Sequence, residues 1–239
     1  KEPLLIPEIP IYPFQKVATD LFHFNNKNYV LLVDNYSNWF DFAELKDLSS
    51  KEVIKHLKKW FSIFGEPDEV YSDGGTQYSS QEFKHFAAEW NFIHNMSSPH
   101  YAKSNGLAER YVQVAKNILK KNPKNVEKAL LAFRNTPRED LGSPNQRLMS
   151  RTVKTSLPSS FENLKPKVIE KVTEKLEKAR GKSKKHYDKV SRSKKMPEVG
   201  DEVLVQHPKT KLWSKATVIA HDKHPRSVVI NTGNGIYRR

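Results

Sequence analysis

Three carboxylates stand where a folded chain would bring them to its surface. Asp20 lies within or near the end of an alternating segment, Asp73 precedes Gly74-Gly75, and Glu109 falls in the first turn of a helix-like segment. A carboxylate at a strand end escapes the core, and glycines beside it let backbone approach a ligand closely. Two divalent ions about 3.5–4 Å apart, held by few such acids, can activate an attacking hydroxyl and stabilise the departing oxygen of an in-line phosphodiester displacement. Taken singly, each is also an ordinary surface acid, and Glu109 a favourable charge near a helix N-terminus. Spacing alone leaves both readings open.

The elements that must position these acids are legible in the hydrophobic pattern. Lys16–Phe24 alternates like a strand, Asn25-Asn26-Lys27-Asn28 supplies turn residues, Tyr29–Val33 reads as a buried strand and Trp39–Leu45 alternates again, an antiparallel meander. Ser49 or Ser50 can cap a helix with Val53, Ile54, Leu57, Trp60, Phe61 and Phe64 at helical spacing and Gly65 as its stop. A short strand, Glu69–Ser72, ends at Asp73. A helix follows from Ser79 or Ser80, then a strand over Asn91–Met96, a turn-rich loop to Gly106, a helix from Leu107 to about Lys120 and another around Val126–Arg134. The order β-β-β-α-β-α-β-α-α predicts a mixed sheet flanked by helices. From about Leu141 to Ser160, with Pro144 and Pro158, the pattern turns irregular and reads as a linker. Pro166 is expected to open a helix carrying Val168, Val172, Leu176 and Ala179. Val203–Val205, Ala216–Ile219 and Val228–Ile230 have the spacing of a small β-barrel.

The chain has 239 residues and a net charge of +14, unevenly spread. Lys and Arg balance Asp and Glu at 19 to 18 over residues 1–150 but outnumber them 22 to 9 beyond, and half of Lys178–Lys195 is Lys or Arg. A neutral acid-bearing half followed by a basic one suggests a polyanionic partner, nucleic acid before membrane, since no apolar run approaches the roughly 20 residues of a spanning helix. A solvated basic tail is the plainer reading of the same charge. With no cysteine there is no disulfide, thiolate nucleophile or Cys-containing zinc site. The opening Lys-Glu-Pro, without Met or a signal-peptide core, is expected of an excised fragment.

Four motifs resolve the ambiguity. Lys16-Val-Ala-Thr-Asp-Leu-Phe22, Tyr29-Val-Leu-Leu-Val-Asp-Asn-Tyr-Ser37, Tyr71-Ser-Asp-Gly-Gly-Thr-Gln-Tyr78 and Ser97-Ser-Pro-His-Tyr-Ala-Lys-Ser-Asn-Gly-Leu-Ala-Glu-Arg110 together resemble the catalytic core of integrases from Gypsy-type LTR retrotransposons, relatives of the retroviral enzymes. Between Asp73 and Glu109 lie 35 residues, the interval of that superfamily's Asp, Asp, Glu signature. Ala132-Phe-Arg-Asn-Thr-Pro137 and Gly142-Ser-Pro-Asn-Gln-Arg-Leu-Met149 are similar to the segments that close that core. Gly200-Asp-Glu-Val203, Lys211-Leu-Trp213 and Pro225-Arg-Ser-Val-Val229 resemble its SH3-like C-terminal domain. Ala102-Lys103 and Gly74 depart from the family's usual residues while keeping the acids, and the His and Cys of the family's N-terminal zinc domain are absent.

The resemblance implies an α/β fold: an RNase H-like mixed five-stranded sheet with helices over residues 1–150, a basic, partly helical linker over 151–196 and an SH3-like DNA-binding barrel over 197–239, its last strand expected to be cut short. It implies two transesterifications, trimming of element DNA ends and attack of the freed 3′-hydroxyl on target DNA, with Asp20, Asp73 and Glu109 as ligands of two Mg²⁺ or Mn²⁺ ions. Ser104 and Asn105, with Lys103, Tyr101 and Lys116, are expected to meet DNA; Lys184, Lys185 and Arg226 are expected phosphate contacts; Asp34 is expected to support the ligands by hydrogen bonding. His100 is a further stacking candidate. Element ends and target DNA would be the partners of a homo-oligomer in the nucleus, with neither a membrane nor a small-molecule cofactor involved. A domesticated, non-catalytic DNA- or chromatin-binding descendant is the alternative, and a ribonuclease H shares the fold but lacks the Ser-Asn-Gly loop and basic barrel.

Overall fold

A computed structural model describes residues 3, 8–97, 106–138, 141–158, 160–192, 195–207, 212–222, 226–233 and 235–239. It divides into two compact units, Ile6–Ser183 and a second comprising Lys1–Leu5 with Lys184–Arg239.

The first unit is built on strands β1 (Lys16–Phe24), β2 (Lys27–Asp34), β3 (Phe40–Leu45), β4 (Glu69–Ser72) and β5 (Ile93–Met96), ordered β3-β2-β1-β4-β5. Asn25 and Asn26 both take positive φ, as a two-residue turn between twisted antiparallel strands requires. That turn sets the β1–β2 register, placing Phe22 opposite Tyr29 with their rings stacked at 5.0 Å. β4 and β5 continue the sheet in parallel, so β1 is central and must be covered on both faces.

The helices supply that cover. Helix α1 (Ser50–Phe64) is capped by Ser49 and stopped by Gly65 at φ 97°, and α2 (Thr76–Ser79) leads into α3 (Gln81–Glu89), capped by Ser80. Val53, Leu57, Trp60, Phe61, Phe83 and Phe86 pack with Val17, Val30 and Leu32 on one face. The other face, with Ala18, Phe22, Leu31 and Val33, receives Ala108, Tyr111, Val112 and Ala115 of α4 (Gly106–Lys121) and Leu130 of α5 (Val126–Asn135).

Two expectations fail. The stretch read as irregular from Leu141 contains α6 (Pro144–Met149), begun by a reciprocal capping box between Ser143 and Gln146 with Pro144 in its first turn. Pro166 does not open a helix. After the short α7 (Phe161–Leu164), Lys171 takes φ 57° and α8 (Val172–Asp188) starts beyond it, burying Val172 and Leu176 while Val168 stays exposed.

The second unit holds a four-stranded antiparallel sheet, β6 (Glu202–Gln206), β7 (Trp213–His221), β8 (Val228–Asn231) and β9 (Ile236–Arg238), with a bulge between Val218 and Ala220. Ala216, Val218, Val228 and Ile230 form its small core with Met196, Val203 and Val205.

Candidate active site

Asp20 belongs to the face of β1 defined by Ala18 and Phe22, because side chains alternate along a strand. This is the face that α4 covers. The parallel register pairs Ala18 with Tyr71, which puts Asp20 two residues further along β1 and Asp73 two residues beyond Tyr71, just past the end of β4. Glu109 enters from the first turn of α4, one residue after the fully buried Ala108, and Lys116 lies on the same helix two turns later.

The electrostatics join what these elements bring. The Asp20 carboxyl is pushed up to about 6, first by burial, then by the negative charge of Asp73, with Glu109 adding to the effect; a hydrogen bond from Leu21 N and the charge of Lys116 act against it. Asp20 Oδ1 accepts from Leu21 N at 2.8 Å and Asp73 Oδ1 accepts from Gly75 N at 3.1 Å. Among the described residues the second oxygen of each, and the whole Glu109 carboxylate, has no hydrogen-bond partner. An acid whose ionisation two neighbouring acids oppose, with carboxylate oxygens left free, forms a site for positive charge. Hard carboxylate oxygens suit Mg²⁺ or Mn²⁺, so the donor set fits. Among the described residues no three His, Asp or Glu side chains are already gathered at ligand distance around one point.

The strands and helices around the acids are braced from the opposite face. Thr19, next to Asp20, and Tyr78, in the short helix after Asp73, meet through their hydroxyls at 2.9 Å, both fully buried. Burial raises the Tyr78 phenol further, with Asp20 and Asp73 contributing, so it stays protonated. Ser72 donates its hydroxyl to Asp73 O at 2.8 Å, while the same Oγ lies 2.8 Å from His94 Nε2 on β5. Burial lowers His94 to about 4, leaving it neutral around pH 7. Sequence reading missed Ser72, Tyr78 and His94. The only local signal was the adjacency of Ser72 to Asp73.

The remaining expected site residues have surroundings of their own. Asp34 is fully buried, and its oxygens accept from Phe14 N, Tyr36 N, Ser37 N and Ser37 Oγ, tying the β2–β3 turn to the chain before β1. Lys184 pairs with Asp188 at 2.6 Å, Lys185 is exposed in the last turn of α8, and half-buried Arg226 donates to Pro3 O at 2.5 Å. His100, Tyr101, Lys103, Ser104 and Asn105 lie outside the described residues.

Residues 12–102 match the family model described as the integrase core domain, a span that includes Asp20 and Asp73. An uncharacterized protein of Caenorhabditis elegans is 29% identical over 171 residues, covering 66% of this chain and 14% of that protein. The Gag-Pro-Pol polyprotein of Human T-cell leukemia virus 3 (strain Pyl43) is 31% identical over 101 residues, 41% of this chain and 7% of the polyprotein. The chain thus spans no more than about a seventh of either relative. In fold it is similar to a chain in the cryo-EM structure of the simian T-cell lymphotropic virus intasome, with a TM-score of 0.63 at 16% identity over 100% of this chain and 79% of that one.

Proposed function

From the integrase core domain at residues 12–102, we propose that the chain is the catalytic core and C-terminal part of a Gypsy-type retrotransposon integrase. It trims the ends of element DNA and joins the freed 3′-hydroxyls to target DNA. The observation that carries this reading is the field at Asp20, whose ionisation is opposed by both Asp73 and Glu109. Structural carboxylates are normally paired with cations; here the charges of two further acids bear on a half-buried third.

Asp20, Asp73 and Glu109 would hold two Mg²⁺ or Mn²⁺ ions, which when bound activate an attacking hydroxyl and stabilise the departing oxygen of a phosphodiester. The chain's own contribution is placement. The central strand carries one carboxylate and the end of its parallel neighbour leads into the other, and each carboxylate gives one oxygen to a backbone N–H so that the other stays directed away from it. Rigid α4 sets Glu109 and Lys116 at a fixed separation of about 10 Å along the helix axis. Lys116, the cation that favours ionised Asp20, is positioned to meet a phosphate as well.

The basic part of the chain extends the reading. Lys184, Lys185 and Arg226 would neutralise DNA phosphates without selecting sequence, and Lys103, Tyr101, Ser104 and Asn105 would contact the element end. The four-stranded sheet of the second unit is then an SH3-like DNA-binding module. The working form is a dimer or tetramer on DNA, in the nucleus.

With Mg²⁺ or Mn²⁺ and a pre-trimmed DNA end, the chain should join strands and Asp73→Asn should not. Equal joining by both proteins would refute the assignment of the triad. Salt-dependent DNA binding by both, with joining by neither, would instead identify a DNA-binding module without catalysis.

A further inference from the structure

Beside the acids lies a polar relay with no ligand role. Ser72 ends β4 and is almost fully buried. Its hydroxyl carries one proton, which it donates to Asp73 O at 2.8 Å. The 2.8 Å contact between the same oxygen and His94 Nε2 must then run the other way, with the imidazole N–H as donor. With both contacts made as hydrogen bonds, His94 carries its proton on Nε2. The ring is held in that pose by Phe83, whose centroid is 4.7 Å away, and by the backbone of β5 in register with β4.

We propose that His94 and Ser72 are positioning residues for Asp73, a relay His94 Nε2–H to Ser72 Oγ–H to Asp73 C=O that fixes the main chain at the strand end and thereby aims the carboxylate. The role rests on the integrase reading above. Asp73 leaves regular structure at the point where β4 ends and a Gly-Gly turn begins, so little else restrains its backbone. Gly75 N holds Oδ1, and the relay holds the carbonyl; together they leave Oδ2 in one direction. Groups that orient a ligand without touching the ion commonly change metal affinity by about 10–100-fold when removed.

Mn²⁺ binding, followed by the electron paramagnetic resonance of free Mn²⁺, tests this without turnover. Ser72→Ala removes one oxygen, and His94→Leu removes the donor while keeping an apolar body. Each should weaken Mn²⁺ binding about tenfold or more, while His94→Gln, which restores an N–H near the same place, should recover most of the loss. Nitrogen-15 spectra of the neutral wild-type imidazole should show the proton on Nε2; a proton on Nδ1 overturns the relay. If Mn²⁺ uptake depends on Asp73 yet is unchanged in folded Ser72→Ala or His94→Leu, the positioning role alone falls. If wild type and Asp73→Asn take up Mn²⁺ equally, the integrase reading falls and takes this role with it.

Discussion

Thr19 and Tyr78 meet through a buried hydroxyl contact of 2.9 Å, which links the residue before Asp20 to the helix after Asp73. β1 is therefore tied twice to the segment that carries Asp73, by its parallel ladder with β4 and by a side-chain bond to α2 on the opposite face of the sheet. Tyr78→Phe keeps the ring packing and removes this bond. It should lower unfolding free energy by about 1 kcal/mol, measured as a shift in denaturant midpoint at unchanged m-value. No shift would mean that the ladder alone sets the spacing.

Asp20 gives the protein an unusual pH response. Its carboxyl is raised to about 6 in the folded state against an ordinary value near 3.8, so the folded state holds this proton more tightly. The stability this contributes is fully present below about pH 4 and is lost as pH rises through about 6. At pH 7 and without divalent ions, Asp20→Asn should therefore be more stable than wild type by about 2 kcal/mol after allowance for solvent screening, and the advantage should vanish near pH 4. Mn²⁺ should reverse the order by stabilising wild type and leaving the variant unmoved. Parallel thermal melts across pH, with and without Mn²⁺, measure both effects.

His94 imposes the opposite slope. Burial lowers it to about 4 from an ordinary 6.5, so the folded state resists its protonation. Its contribution is present above about pH 6.5 and is lost as pH falls through about 4. Because Asp20 and His94 pull in opposite directions between pH 4 and 6.5, the wild-type curve alone separates neither. His94→Gln should gain on wild type by about 2 kcal/mol between pH 6.5 and 4, allowing for solvent screening; denaturant titrations at those two pH values decide it.

The basic region offers a graded test of phosphate contact. Lys185 is exposed, whereas Lys184 already pairs with Asp188 at 2.6 Å. In DNA-binding titrations against salt, Lys185→Ala should reduce the slope of log affinity by about 1, and Lys184→Ala by less, since its charge is partly met within the chain. Equal slopes for Lys185→Ala and wild type would remove Lys185 from the contact set.

The core elements were legible because local chemistry announced them: a serine pair at each helix start, of which Ser49 and Ser80 are the caps, Gly65 as a stop, and paired asparagines between β1 and β2. What escaped was chemistry that acts across distance or wears a misleading residue. Ser72 and His94 are 22 positions apart and meet only because β5 lies beside β4. Pro144 reads as a breaker, yet after Ser143 and before Gln146 it sits where proline suits a helix start. Pro166 looked like another start, but the helix waits for Val172, the first side chain there with a core to enter. The acids themselves were singled out through motif and interval; the field that Asp73 and Glu109 set up at Asp20 is a property of the folded chain.

Arg147 is where the fold carries a cost with no visible return. It lies on α6, 3% exposed, and among the described residues all three guanidinium nitrogens lack a hydrogen-bond partner. Burial, with the nearby charge of Arg138, lowers it to about 10, while Tyr111, Asp34 and Tyr36 favour its charge from a distance. Asp34, the acid in that group, already accepts four hydrogen bonds from the β2–β3 turn and Phe14. Among the described residues a group still charged at pH 7 is thus desolvated without a direct counter-charge, a situation in which an apolar replacement of similar volume often gains about 1–4 kcal/mol. Arg147→Met should therefore raise unfolding free energy by about 1–3 kcal/mol, read from the denaturant midpoint. A loss of stability instead would show that the long-range attraction to Asp34 outweighs the burial of the charge.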